Sequence, residues 1–230
     1  AQLIAFSGTQ VGVLAPASLQ SLSDGQFAAL TTAQIAALTS SQIGVLSETQ
    51  TTALTTTQLI AFTADQLGAL TTVDLAALSD RQIAALKAAQ ISPLSPDQTS
   101  VLSAAQVGAL TTAQVAVLST AQLVGMSASQ LSGLTSLQIK ALSGSQIVVL
   151  ETADIQAFSA QQIDAFTGAQ FSALTQEQIV ALSVDQASSL TSVQVSALTV
   201  GQISVLDTAD LRSLSTTLIM GLSVSQISAL

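Results

Sequence analysis

The sequence predicts an all-α solenoid built from one short helix per eight residues, with three such octads, or 24 residues, to a coil. Three observations carry that prediction. An eight-residue repeat runs in phase through all 230 residues. Each octad opens on a helix-capping signature, and its bulky apolar residues fall at two positions on one helical face.

The repeat comes first. Stepping by eight from Gln2 meets Gln at 24 of 29 positions, the exceptions being Ser18, Asp74, Asp154, Asp210 and Leu218. Stepping from position 6 gives 24 Leu, four Phe and Met126. Stepping from Ser7 gives Ser or Thr at 24 of 28 places. The unit is therefore [Ser/Thr]-x-x-Gln-[Ile/Leu/Val]-x-[Ala/Val/Gly]-Leu, as in Thr31–Leu38. No insertion shifts the phase, so residues 1–230 read as one continuous array. It begins and ends inside the pattern, as expected of a piece of a longer array.

A single continuous helix does not fit this period. At about 100° per residue, eight residues overshoot two turns by about 80°, and the Leu row would spiral around the helix. The strand alternative fails because Gln-Ile-Ala-Ala-Leu does not alternate. One short helix of six or seven residues per octad, with a change of direction between octads, remains.

Local chemistry supports it. Ser or Thr followed three residues later by Gln lets the hydroxyl take the N3 amide while Gln reaches back to the cap amide. Pro16 and Pro96 follow the cap position, where a missing N–H is harmless. Twelve of the 13 acids, all but Asp164, lie on the cap or the next three residues, where the helix N-terminus favours negative charge. The fifth and eighth positions, three apart, share one face, and all six Phe occupy them. So short a helix is unstable alone; its face must pack on neighbouring octads and form one continuous core.

The deviations suggest the coil size. At the sixth position Gln20, Lys140, Asp164 and Arg212 are spaced by multiples of 24, as are Ile4, Val124, Val148 and Met220 in another phase. Ser21, Ser189 and Ser213 at the seventh position share the first phase with Pro93 and the irregular caps Ala15, Lys87 and Asp207. This reads as three octads per coil with one side less buried; a two-octad hairpin coil is the alternative.

Composition narrows the function. There is no His, Cys, Trp, Tyr or Asn, and 4 Lys+Arg stand against 13 Asp+Glu. Relays through His or Cys, disulfides and ordinary zinc or haem sites are thereby excluded. Four scattered cations do not suit nucleic acid. Gln, Ser or Thr interrupts every apolar run, so no membrane span is expected. The acids form no calcium-loop motif, and capping explains them. The expectation is a non-enzyme with no catalytic, cofactor-binding or metal site. The Gln row is assigned to capping in preference to a ladder across coils. Paired Thr such as Thr31-Thr32 and Thr111-Thr112 suggest a hydroxyl face for ice or glycan, but Ser, Ala, Gly and acids interrupt it.

The tandem Leu-Thr-x-x-Gln-Ile-x-Ala-Leu pattern resembles the octapeptide repeat tracts of large secreted or surface-attached bacterial adhesin-like proteins, and the resemblance covers essentially the whole chain. It implies an extracellular or cell-surface location and a fibrous or adhesive role; it transfers no site residues. With a surface of small neutral residues able to lie against copies of itself, the expected function is a structural protein forming a filament or surface stalk, its partner being itself. The alternative is a monomeric solenoid presenting a surface glycan or protein with a binding face.

Overall fold

The computed structural model describes residues 5–206 and 208–230, apart from the side chains of Asp210 and Ser213. Gln2, Ile4 and Asp207, and the side chains of Asp210 and Ser213, therefore lie outside the described residues. Among those described there are 28 helices and no strand, numbered in chain order from α1 (Gly8–Gly12) to α28 (Val224–Ile227). Each holds four to six residues, slightly fewer than expected.

The corners explain the shortfall. At the junction of two octads the eighth residue and the next cap are both extended: Leu78 has φ −61° and ψ 138°, and Ser79 has φ −68° and ψ 157°. Leu86 and Lys87 repeat this. Two extended residues turn the chain without any left-handed residue, and no positive φ occurs among the described residues. The corner thus needs no glycine, which is why Leu and Ser/Thr can hold it throughout.

The chain divides into two units, Ala1–Leu118 and Ser119–Leu230. In each, every helix packs on the helix three octads along, so helices stack in three walls and one coil holds three octads. The two-octad coil is thereby excluded. In the first unit one wall comprises α1, α4 (Thr32–Ala36), α7 (Thr56–Ala61), α10 (Asp80–Ala85) and α13 (Ala104–Ala109). The second comprises α2 (Pro16–Gln20), α5 (Ser40–Ile43), α8 (Ala64–Gly68), α11 (Ala88–Ile91) and α14 (Thr112–Ala116). The third comprises α3 (Asp24–Ala28), α6 (Glu48–Thr52), α9 (Thr72–Ala77) and α12 (Pro96–Ser100).

The second unit repeats the plan. Its walls are α15 (Thr120–Val124), α18 (Gly144–Ile147), α21 (Gly168–Ala173), α24 (Ser192–Ala197) and α27 (Thr216–Met220); α16 (Ala128–Leu131), α19 (Thr152–Ala157), α22 (Gln176–Val180), α25 (Val200–Ile203) and α28; and α17 (Ser136–Ala141), α20 (Ala160–Asp164), α23 (Val184–Ser188) and α26 (Thr208–Ser213).

The core is the fifth and eighth rows. Every fifth-position residue from Val11 to Ile203 is buried, and so is every eighth-position residue from Leu30 to Leu198. Burying such a side chain contributes about 1.5–3 kcal/mol, which is what makes these short helices persist. Phe158 and Phe166 meet edge-on at 5.8 Å, and Phe166 meets Phe171 at 6.4 Å. Phe6 is the exception among the six, being exposed.

One expectation needs correction. The sixth position is exposed, with few exceptions, on two of the three walls of the first unit and on all three of the second, and the apolar Val124, Val148 and Met220 are exposed there just as Lys140 and Asp164 are. Their 24-residue spacing records which wall they occupy, not how deeply they sit.

Candidate functional site

The feature that organises the molecule is a seam of glutamines at the corners. The cap hydroxyl of an octad accepts the backbone N–H of its Gln, and Gln Oε1 accepts the cap N–H. In α8, Gln66 N donates to Thr63 Oγ1 at 3.1 Å, and Thr63 N donates to Gln66 Oε1 at 2.8 Å. This capping box recurs along the chain with the same geometry. Ala15 has no such box and relies on Pro16 at the first helical position. Lys87 offers no hydroxyl, yet its N–H still reaches Gln90 Oε1 at 2.7 Å.

The other end of the carboxamide does something that the sequence reading left out. Gln Nε2 donates to main-chain carbonyls 28 and 30 or 31 residues earlier, at the corner one coil below. Gln90 Nε2 reaches the carbonyls of Leu59 and Phe62, both at 2.9 Å. Gln170 Nε2 reaches those of Ile139 and Leu142, both at 2.7 Å. Gln194, 0% exposed, reaches Ile163 at 2.7 Å and Phe166 at 2.9 Å. Helix C-termini leave carbonyls without intrahelical partners, and in this fold the next coil supplies the donor. One side chain therefore closes the start of its own helix and the end of a helix beneath it.

The assignment of the Gln row to capping alone is accordingly too narrow. A capping box is served by Glu as well as Gln, yet Glu never stands at this position. That bias toward a residue with both acceptor and donor was the signal for an inter-coil bond. Gln10 and Gln26 are exposed, and the bonds they make among the described residues are those of the cap.

Departures from Gln show what the seam needs. Asp74 keeps the acceptor role, taking Thr71 N at 3.1 Å and Thr71 Oγ1 at 2.7 Å. It gives no amide donor to the coil below; instead Thr51, buried at a fifth position, donates from Oγ1 to Asp74 Oδ1 at 3.4 Å. Asp154 accepts Glu151 N at 2.8 Å. Burial, against the opposing effect of that hydrogen bond and with a lesser push from the Glu151 carboxylate, raises its pKa above the ordinary carboxyl value. Leu218 retains the hydroxyl half of the cap, from Ser215, but can neither return the bond nor reach downward as a donor. The side chain of Asp210 is outside the described residues. No buried side-chain nitrogen or oxygen among the described residues lacks a hydrogen-bond partner.

Of the remaining acids, Asp24, Glu48, Asp65, Asp80, Asp97 and Asp185 sit in first turns, while Asp164 stands at the end of α20. The Glu177 carboxyl is held below its ordinary pKa by its own backbone N–H and then by the Thr175 hydroxyl. Among the described residues no three acids gather as a metal site would require, and no helix is long and apolar enough to cross a membrane. Concave features among the described residues include a void of about 10 Å³ lined by Ile179, Ala187, Leu190 and Leu214, and a shallow groove between Glu48, Val73, Ala76 and Val101.

Comparison with curated protein sequences gives no match. The hexapeptide Ala-Leu-Thr-Thr-Ala-Gln stands at residues 29–34 and again at 109–114. Two stretches of the chain, residues 19–56 and 147–184, match the family described as the ALTTAQ repeat, in keeping with a protein built of tandem repeats.

Proposed function

We propose that this chain is a non-enzymatic structural protein that associates with copies of itself as an extracellular filament or cell-surface stalk. The observation that carries this reading is the glutamine seam. Coils offer Gln donors on one side and corner carbonyls on the other, so wherever Gln holds the fourth position the same bonds join coil to coil, which favours indefinite extension. The outer surface supports association as well. Only 7% of the residues are charged, and small neutral side chains lose little hydration on contact. The resemblance to adhesin-like bacterial repeat tracts supports the extracellular placement.

Negative-stain imaging combined with light scattering over a concentration series tests the proposal. Fibres or bundles that grow with concentration are expected. Single short rods at every concentration would overturn it. Those would favour the monomeric binding module instead, for which the groove between Glu48, Val73, Ala76 and Val101 is the structural support, with a protein or glycan as ligand.

A further inference from the structure

One wall of the second unit differs from every other surface. Its five octads, residues 119–126, 143–150, 167–174, 191–198 and 215–222, contain no Asp, Glu, Lys or Arg in a chain of net charge −9. The described acids of the second unit lie on the other two walls. The exposed Val180 and Val184, by contrast, share their walls with Glu177 and Asp185.

The charge-free wall also carries bulky apolar side chains in the open. Val124 on α15 is 54% exposed, Val148 beside α18 45%, Val193 on α24 63% and Met220 on α27 79%. The middle helix, α21, has none; it shows Gly168 and Ser172. Val124, Val148 and Met220 hold the sixth position of their octads, whereas Val193 holds the third and lies close to Gly168, with the exposed Ser196 at the sixth position of α24. The two end helices match: α15 and α27 each show a bulky residue at the sixth position, two helices to either side of α21.

We propose that this wall is a self-complementary interface with a second copy of the chain, related by a two-fold axis through α21. Antiparallel apposition sets Val124 against the partner's Met220, with small residues at the centre where the two walls come closest. A two-fold contact requires that one patch match itself reversed, and the sixth-position Val124 and Met220 at the two ends of the wall meet that requirement. The charge distribution favours a copy over another partner: two molecules of net charge −9 repel wherever acids face acids, and here none do. Five layers at about 8–10 Å each, by about 15 Å of octad width, give roughly 600–750 Å² per copy. That lies at the lower end of what stable association needs, so the contact is weak singly and accumulates in an array.

This inference rests on the self-association reading and names the surface. Sedimentation velocity on the full chain over a concentration series tests it. Val124→Lys or Met220→Glu, both at exposed sites, is expected to weaken association about tenfold or more, while Val180→Lys on another wall leaves it unchanged. The double variant Val124→Lys/Met220→Glu should associate about tenfold more tightly than Val124→Lys/Met220→Lys, because only the antiparallel arrangement places 124 opposite 220. Equal behaviour of the two doubles would overturn the two-fold pairing. Assembly indifferent to Val124→Lys would overturn this wall while leaving self-association standing. A chain monomeric at all concentrations would overturn both and leave the wall to a different macromolecule.

Discussion

Residues 79–118 and residues 183–222 each pass through five octads, and the two stretches are secured to different degrees. In the first, Gln82, Gln90, Gln98, Gln106 and Gln114 all bridge to the coil below. Its eighth-position leucines are 3–4% exposed. In the second, Ala187 stands where a branched residue usually packs, Leu190 beside it is 8% exposed, and the void of about 10 Å³ opens next to both. Leu218 brings no donor to the corner at Ala187 and Leu190, the carbonyls 31 and 28 residues before it. Yet Leu218 still lies on a capped helix stacked on α24. The wall-to-wall packing and the caps keep the coil closed where the seam lapses; the seam adds local stability and fixes register. Repeat arrays open locally rather than all at once, so the two stretches should exchange amide hydrogens at different rates.

Breaking the well-secured stretch gives the largest expected effects. Ile83→Ala should cost about 2–5 kcal/mol through the cavity it leaves, read as faster hydrogen exchange across 79–118 and a lower denaturation midpoint. Gln106→Leu strands the Ser103 N–H and the Leu78 carbonyl, while the Leu75 carbonyl keeps the Leu78 N–H, at about 1–3 kcal/mol for each group left unmet. Gln106→Glu is more informative. It keeps the acceptor for Ser103 and replaces the donor with a carboxylate oxygen that faces the Leu75 and Leu78 carbonyls, so a loss of protection at Leu78 and its neighbours with the cap intact would locate the damage in the seam. A Gln106→Glu chain as stable as the parent would show that the seam contributes nothing.

Repairing the looser stretch should work in the opposite direction. Ala187→Ile and Leu218→Gln are each expected to raise stability by about 0.5–2 kcal/mol, as restoring a repeat's own consensus commonly does. Slower exchange around Leu190 would report it.

The smallest effect is a pH dependence. The Asp154 carboxyl has a raised pKa in the folded chain, so its ionised form opposes folding. That penalty is full above the raised value, shrinks as the pH falls through it, and vanishes below the ordinary carboxyl value of about 3.9. Asp154→Gln should therefore be more stable than the parent at pH 7, with the gap narrowing toward pH 4, as followed by thermal unfolding at the two values. A gap that widens on acidification would refute the assignment.

Much of this was legible in the residues. Thr31 and Gln34 announce a helix start because a hydroxyl and a carboxamide three residues apart satisfy amides locally, whatever the rest of the chain does. Ile35 and Leu38 lie on one face by helical geometry alone, and both are buried. The three-octad coil was visible in the 24-residue spacing of Gln20, Lys140, Asp164 and Arg212. The reason attached to it was incomplete, since Val124 and Met220 are exposed as well.

The sequence by itself determined what depends on separations of three or four residues: where each helix starts, which face is apolar, and that no octad stands alone. The tertiary structure decided what depends on separations of 23 to 31. Only stacking shows that Gln194 Nε2 meets the Ile163 and Phe166 carbonyls, that Thr51 answers Asp74, and that one wall gathers the uncharged octads. The physical reason is the range of the interactions. A cap closes within one turn of chain, whereas a bond between coils exists only after the whole coil has returned to the same corner.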